Sequence, residues 1–261
     1  MARPRVGAQP RAVTALLVAL AALALVAAPA AAYEAATVQD GGTLAGSVKF
    51  AGTPPKLDPI PVNKNRDVCG EQKPSEALVV GPDRGVRGGV VKIEGVARGK
   101  KGSGDVILDN AKCLFVAHVT AVGPGDRVRV KNSDAILHNT HGLLNRTTSF
   151  NLALPNKDQT IDITKRLQKP GVIHVLCDAH PHMSAWLVVH DSPYVAVTDE
   201  RGAFRLGDVP PGAYRVTLWH PGFRQKGIDK DGRPVYDDPR TITREVTIAP
   251  KATATVDFEL K

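Results

Sequence analysis

The chain has 261 residues, 43% of them hydrophobic and only 5% aromatic, and its formal net charge is +8. Its densest basic stretch, residues 98–101, lies among glycines without aromatic side chains that could stack on bases, which argues against nucleic-acid binding. The length suggests one large or two modest domains.

The first 32 residues are typical of an export signal. Three arginines precede an apolar run at residues 13–28, and an Ala-x-Ala-type cleavage site precedes Tyr33. A membrane anchor is the alternative, but about 20 apolar residues are needed to cross a bilayer. We therefore expect cleavage before Tyr33, a periplasmic or secreted protein, and no stable membrane span afterwards.

The rest of the chain predicts an all-β protein. Short runs rich in Val, Ile and Thr alternate with Gly, Pro, Asn and Asp, as in sandwiches and barrels. The predicted strands are residues 43–50, 86–93, 105–108, 114–122, 127–131, 160–163, 172–177, 185–190, 194–198, 203–206, 213–219, 243–248 and 252–260. A domain boundary is expected at residues 191–193, and only residues 156–169 could hold a short helix.

The chain has three cysteines, an odd number for an exported protein. Cys69 and Cys113 could form a disulfide in an oxidising compartment, which would leave Cys177 as a thiol available to a metal. Parity permits this pairing, but the sequence alone does not bring the two cysteines together.

The segment from Cys177 to Met183 concentrates the chemistry of the chain. It contains a thiol, two imidazoles at His180 and His182, and a thioether within seven residues. Thiolate, imidazole and a weak thioether suit copper in an electron-transfer site. Zinc is the rival metal, but structural zinc sites use four Cys or His donors, and Met183 is a poor zinc ligand.

This interpretation needs another imidazole, and His138 is the candidate. It follows a predicted strand that ends at Lys131 and lies 39 residues before Cys177. That separation leaves room for two or three strands to bring His138 back beside the cysteine loop.

The motifs resemble those of the cupredoxins, the blue copper proteins, and above all the amicyanin and plastocyanin branch. The resemblance rests on residues 125–128, on His138-Asn139, and on Cys177-x2-His180-x2-Met183. Residues 194–223 resemble the opening of a carboxypeptidase regulatory-like domain. The resemblance extends to exported bacterial proteins related to methylamine utilisation, which look like a combination of these two parts.

The resemblance implies two domains after a signal peptide at residues 1–32. A cupredoxin-like Greek-key sandwich would cover residues 33–191. A smaller transthyretin-like, carboxypeptidase regulatory-like β-sandwich would cover residues 192–261.

The resemblance also implies which residues bind the ion. His138, Cys177 and His180 would be the equatorial ligands and Met183 the axial ligand of one copper ion, cycling between Cu(I) and Cu(II). Asn139 would hydrogen-bond across to the cysteine loop. Three further histidines are less favoured candidates: His118, His141 and His182. His182 stands where the family commonly has an aromatic residue.

The sequence therefore predicts an electron carrier with a type 1 copper site, a redox partner protein and no catalytic residues. Two alternatives stay open. The protein could store or deliver copper, or it could be a structural β-sandwich module with a vestigial metal site.

Overall fold

Strands form almost all regular structure in the computed structural model, which describes residues 1–2 and 32–261. The all-β prediction is therefore confirmed. The strands before residue 135 are β1 (Glu34–Ala35), β2 (Gly42–Phe50), β3 (Ile60–Pro61), β4 (Gln72–Lys73), β5 (Val79–Val80), β6 (Val86–Arg87), β7 (Val90–Ile93), β8 (Arg98–Gly99), β9 (Asp105–Ala111), β10 (Leu114–Val116), β11 (Val119–Val122) and β12 (Arg127–Asn132). The later strands are β13 (His138–Leu144), β14 (Thr147–Leu154), β15 (Thr160–Asp162), β16 (Gly171–Leu176), β17 (Ser184–Val189), β18 (Val195–Val197), β19 (Ala203–Val209), β20 (Gly212–His220), β21 (Gln225–Ile228), β22 (Pro234–Tyr236), β23 (Arg240–Ile248), β24 (Thr253–Thr255) and β25 (Phe258–Leu260).

The α-helix α1 does not lie where the sequence predicted a helix. It is the four-residue segment Arg66–Cys69, preceded by Asn65 in a left-handed conformation. The predicted region, residues 156–169, contains strand β15 and the 3₁₀ turn Thr164–Arg166. Strand β15 is extended because its backbone pairs with β12.

The predicted signal peptide mostly falls outside the described part of the chain, since residues 3–31 are not described. In the residues that are described, no helix is both long enough and apolar enough for a membrane crossing.

The first sandwich holds the candidate site. One sheet has the order β10-β9-β12-β15, and the other has the order β11-β17-β16-β13-β14. Alternate residues of β14 are buried in its C-terminal half, because successive side chains of a strand point to opposite faces. Both sheets contribute to one apolar core, which includes Phe115, Val130, Phe150 and Leu187 together with Cys177 and Met183.

The second sandwich combines strands from both ends of the described chain. Its sheets have the orders β18-β7-β20-β23 and β19-β2-β24, and β25 also pairs with β2. Strands β2 and β7 lie centrally, and their residues Leu44, Val48, Val91 and Ile93 are fully buried. The limits 33–191 and 192–261 stay a prediction, but we propose that the second sandwich is built from two separate segments of the chain.

A smaller apolar cluster joins the two sandwiches. Val119 and Val188 of the first sandwich pack with Val90 and Trp219 of the second. Trp186 extends this contact, with its ring 5.6 Å from the ring of Trp219.

Candidate metal centre

Antiparallel pairing brings the distant stretches of the predicted site together. Strand β13 begins at His138, and strand β16 ends just before Cys177. The two strands run antiparallel, with His141 opposite Leu176. The beginning of β13 therefore lies beside the loop that follows β16, which carries Cys177 and His180.

Three potential donor atoms converge where the beginning of β13 meets this loop. The Nδ1 atoms of His138 and His180 are 3.1 Å apart, and Cys177 Sγ lies 3.9 Å from the first and 3.6 Å from the second. A point equidistant from these three atoms would be about 2.1 Å from each, close to the length of a coordinate bond to nitrogen or sulfur. The donor set thus fits a single ion.

Hydrogen bonds at the opposite ring nitrogens fix which nitrogen faces the thiol. His138 Nε2 is 2.9 Å from a carboxylate oxygen of Asp134, and His180 Nε2 is 3.0 Å from the side-chain oxygen of Asn65. These oxygens accept hydrogen bonds, so each Nε2 carries the proton and each Nδ1 keeps its lone pair. Such partners orient metal-binding histidines and increase their basicity.

Burial sets the charge of the donors in the absence of a cation. It lowers the pKa of His138, against the opposing effect of Asp134, and it lowers the pKa of His180 to about 4 with a contribution from neighbouring His138. Burial also raises the pKa of the Cys177 thiol. Neutral imidazoles can bind a metal directly, whereas the thiol gives up its proton when a cation compensates the charge.

Asn139 ties the cysteine loop to strand β13. Its side-chain oxygen accepts hydrogen bonds from the backbone N–H groups of Asp178 and Ala179, at 2.7 and 3.2 Å. Its backbone N–H points at Cys177 Sγ, 3.5 Å away. The position of the sulfur is therefore coupled to the strand that carries His138.

Met183 closes the loop and is fully buried in the same apolar core as Cys177. Its backbone carbonyl accepts a hydrogen bond from the Cys177 N–H at 3.3 Å. Arg233, in the turn between β21 and β22, donates to the carbonyl oxygens of Cys177 and Pro181 at 2.7 and 3.3 Å. The cysteine loop is thus held by the hydrogen bond between its two ends and by the side chain of Arg233.

Cys69 and Cys113 form a disulfide, with their Cα atoms 5.5 Å apart, and Cys177 is free. The bond attaches helix α1 to the turn between β9 and β10. Asn65, which contacts His180, immediately precedes that helix. Cys113, Asp134 and His138 also lie close together, but the sulfur of Cys113 belongs to the disulfide and is not a thiolate.

The three less favoured histidines do not join the converging group. His118 Nδ1 bonds the carbonyl oxygen of Ser184, and His141 bonds Asp178 and Thr148. The ring of His182 lies 5.7 Å from that of His180, and in the part of the chain that the structure describes neither of its nitrogens has a hydrogen-bond partner.

Three contacts of the site were missed by the sequence analysis, those of Asp134, Asn65 and Arg233. The contact of Asp134 could have been predicted from the sequence, because Asp134 precedes His138 by only four residues. The contacts of Asn65 and Arg233 could not, because these residues lie 115 residues from His180 and 56 residues from Cys177.

Comparison with solved structures finds similarity to amicyanin. One similar structure is a methionine-to-alanine variant of amicyanin with Cu(I), at 22% identity and a TM-score of 0.28. Another is the reduced Cu(I) form at pH 4 of a proline-to-glycine variant of amicyanin, at 24% identity and a TM-score of 0.27. Each alignment covers 38% of this chain and 98% of the amicyanin chain. No curated protein matches the chain.

Comparison with protein-family models finds one for the C-terminal part of the chain. Residues 183–261 match the carboxypeptidase regulatory-like domain, nine residues upstream of the start predicted from sequence. The predicted resemblance of the C-terminal part to a carboxypeptidase regulatory-like domain is therefore confirmed.

Proposed function

We propose that this chain is an exported protein that binds one copper ion in a type 1 (blue) site and carries single electrons. The observation that carries the proposal is the convergence of His138 Nδ1, His180 Nδ1 and Cys177 Sγ, with both Nε2 atoms engaged elsewhere. Met183, buried in the same loop, would supply a weak thioether ligand.

Bound copper would supply a one-electron couple, Cu(I)/Cu(II). Two imidazoles, a thiolate and a distant thioether suit both oxidation states. The residues of the chain keep the donors in place: Asn139 and Arg233 hold the cysteine loop, while Asp134 and Asn65 orient the rings. A rigid donor set limits rearrangement when the charge changes.

Burial of the site favours a carrier over an enzyme. His138 and His180 are 0% and 1% exposed, and four donors would leave no open position of the kind that catalytic metals use. Asn65 is exposed and links His180 to the surface by one hydrogen bond. We infer that a redox partner protein exchanges electrons near this surface, in the periplasm or outside the cell as the leader sequence predicts.

The decisive experiment is the visible spectrum of the mature protein loaded with Cu(II). We expect an intense sulfur-to-copper charge-transfer band that disappears in Cys177→Ser and shifts in Met183→Gln. The matched control is His141→Gln, which should keep the band because His141 lies outside the converging group.

Other outcomes would favour the alternatives. Rapid loss of the ion to a chelator, without a reversible redox couple, would support copper storage or delivery. Failure of the wild-type protein to bind copper would support a structural module with a vestigial site. Loss of the band in His141→Gln would contradict the proposed ligand set.

A further inference from the structure

A cavity of about 320 Å³ lies behind the candidate metal centre. One wall is the outer face of the five-stranded sheet, with His174 and Trp186, and beside it His118 in the connection between β10 and β11; all three are half-buried. The opposite wall includes the hairpin of β21 and β22, which contributes Val235 and Tyr236. The volume falls in the range of small-molecule sites in proteins.

The charged side chains that line the cavity already have hydrogen-bond partners within the protein, so none is left without a partner for a charged ligand. Arg233 donates to two carbonyl groups of the cysteine loop. Glu76 accepts a hydrogen bond from Arg87, and Asp237 accepts one from Arg240. Asp229 accepts hydrogen bonds from the backbone N–H groups of Asp231 and Arg233. Burying a charged ligand without a free partner costs several kcal/mol. The wall therefore favours a neutral occupant.

The histidines supply unused hydrogen-bonding groups. His118 Nδ1 lies 2.9 Å from the carbonyl oxygen of Ser184, which can only accept, so Nδ1 carries the proton. Burial lowers the pKa of His118 to about 4, so the ring is neutral at neutral pH and Nε2 is an acceptor. No described residue bonds that nitrogen. His182 also lines the cavity and is 5% exposed, and neither of its ring nitrogens lies within hydrogen-bond distance and geometry of a partner among the described residues.

An aromatic surface lies beside these groups. The rings of His174 and Trp186 stack at 4.2 Å with an interplanar angle of 9°. Trp186 in turn meets the edge of Trp219. A flat ring placed in the cavity would gain aromatic contacts in addition to the burial of apolar area.

We propose that this cavity binds a small, neutral aromatic molecule with a hydroxyl group, which donates a hydrogen bond to His118 Nε2 while its ring packs near Trp186. The hydroxyl supplies the hydrogen-bond donor that the acceptor Nε2 lacks. A fused bicyclic ring is a suitable size for the volume. The proposal does not depend on copper binding.

The test compares two probes by titration calorimetry on the mature protein. The first is 2-naphthol, and the second is 2-methoxynaphthalene, which has the same ring system but cannot donate. We expect one saturable site for 2-naphthol and at least fivefold weaker binding of the methoxy compound. Equal affinity for both, or no saturable binding of 2-naphthol, would overturn the proposal.

Variants locate the site. His118→Phe keeps a ring of similar size and removes the acceptor, so it should weaken 2-naphthol binding at least fivefold. His141→Phe is the matched control, because His141 lies on the five-stranded sheet but outside the cavity, and it should bind as the wild type does. Thermal melting checks that each variant is folded.

Tryptophan fluorescence provides an independent measurement. The chain has only two tryptophans, Trp186 at the cavity and Trp219 against it. In Trp219→Phe, 4-nitrophenol should quench the remaining emission in a saturable manner at a pH below its pKa, where it is neutral. Quenching that is only collisional, in the wild type and in Trp219→Phe alike, would contradict binding beside Trp186.

Discussion

At the scale of single residues, the candidate centre depends on the two oxygens behind the imidazoles. Asp134 and Asn65 contact the Nε2 atoms of His138 and His180, which directs both Nδ1 atoms towards Cys177. The Asp134 carboxylate also accepts backbone hydrogen bonds from Lys112 and Cys113, so it is itself held in place. Ring orientation is thus set before any ion binds.

We predict that Asp134→Asn weakens copper binding by about 10- to 100-fold, as is typical for the partners of metal-binding histidines. The amide keeps the shape of the side chain but removes the negative charge opposite His138 Nε2. Competition with a chelator of known affinity measures the effect.

The control for this change is Asp158→Asn, because Asp158 is exposed and pairs with Lys131 away from the centre. It should leave copper affinity unchanged. An Asp134→Asn protein with wild-type affinity would show that the ring of His138 is oriented by packing alone.

At the scale of elements, the site depends on a short segment that packs over the first sandwich. Residues 60–73 include helix α1 and the two-stranded pair β3–β4, and Val62 and Cys69 enter the core of the sandwich. So few residues cannot bury enough apolar surface to be stable by themselves. The disulfide to Cys113 therefore has both an anchoring and a stabilising role.

We predict that the double substitution Cys69→Ser and Cys113→Ser lowers the free energy of unfolding by about 4 kcal/mol. The disulfide joins residues 44 apart, and closing a loop of that length accounts for this value in the chain-entropy model. Urea denaturation of both proteins measures the difference.

Dithiothreitol provides the control for the disulfide. It should destabilise the wild type by a similar amount and leave the double variant unchanged, because Cys177 is free in both. Equal stability of the two oxidised proteins would mean that the unfolded chain is not constrained by this bond.

At the scale of the whole molecule, the second sandwich takes strands from two separate parts of the chain. Strand β2 lies between β19 and β24, and β7 lies between β18 and β20. Both central strands come from before residue 100, although the other strands of these sheets come after residue 194. The second sandwich is therefore completed by a segment that precedes the first sandwich in sequence.

We predict that the isolated fragment 192–261 does not fold. Without β2 and β7, each of its sheets loses a central strand and leaves unpaired backbone groups and an open apolar core. A ¹H–¹⁵N correlation spectrum should show the narrow dispersion of an unfolded chain.

Joining residues 42–99 to this fragment through a Gly/Ser linker should restore a dispersed spectrum, because it supplies both missing strands. A folded spectrum from 192–261 alone would show that the N-terminal strands are accessory.

The sequence predicted much of the fold because alternating hydrophobic residues are a local signal. Strands such as β12, β16 and β17 were predicted within a few residues of their observed bounds. Strands β13 and β14 were missed, because His138, Asn139 and His141 interrupt the apolar pattern of β13, and three polar residues, Thr147–Ser149, begin β14. In both strands, polar side chains removed the alternating apolar pattern by which a strand is predicted.

By itself, the sequence placed the proposed donors Cys177, His180 and Met183 in one loop, where they need no tertiary information to be neighbours. Only the tertiary structure decided the contacts of Asn65 and Arg233, and the placement of β2 and β7 in the second sandwich. Such contacts depend on how sheets pack and on which strand edges meet. Neither property leaves a periodic trace in the residues concerned.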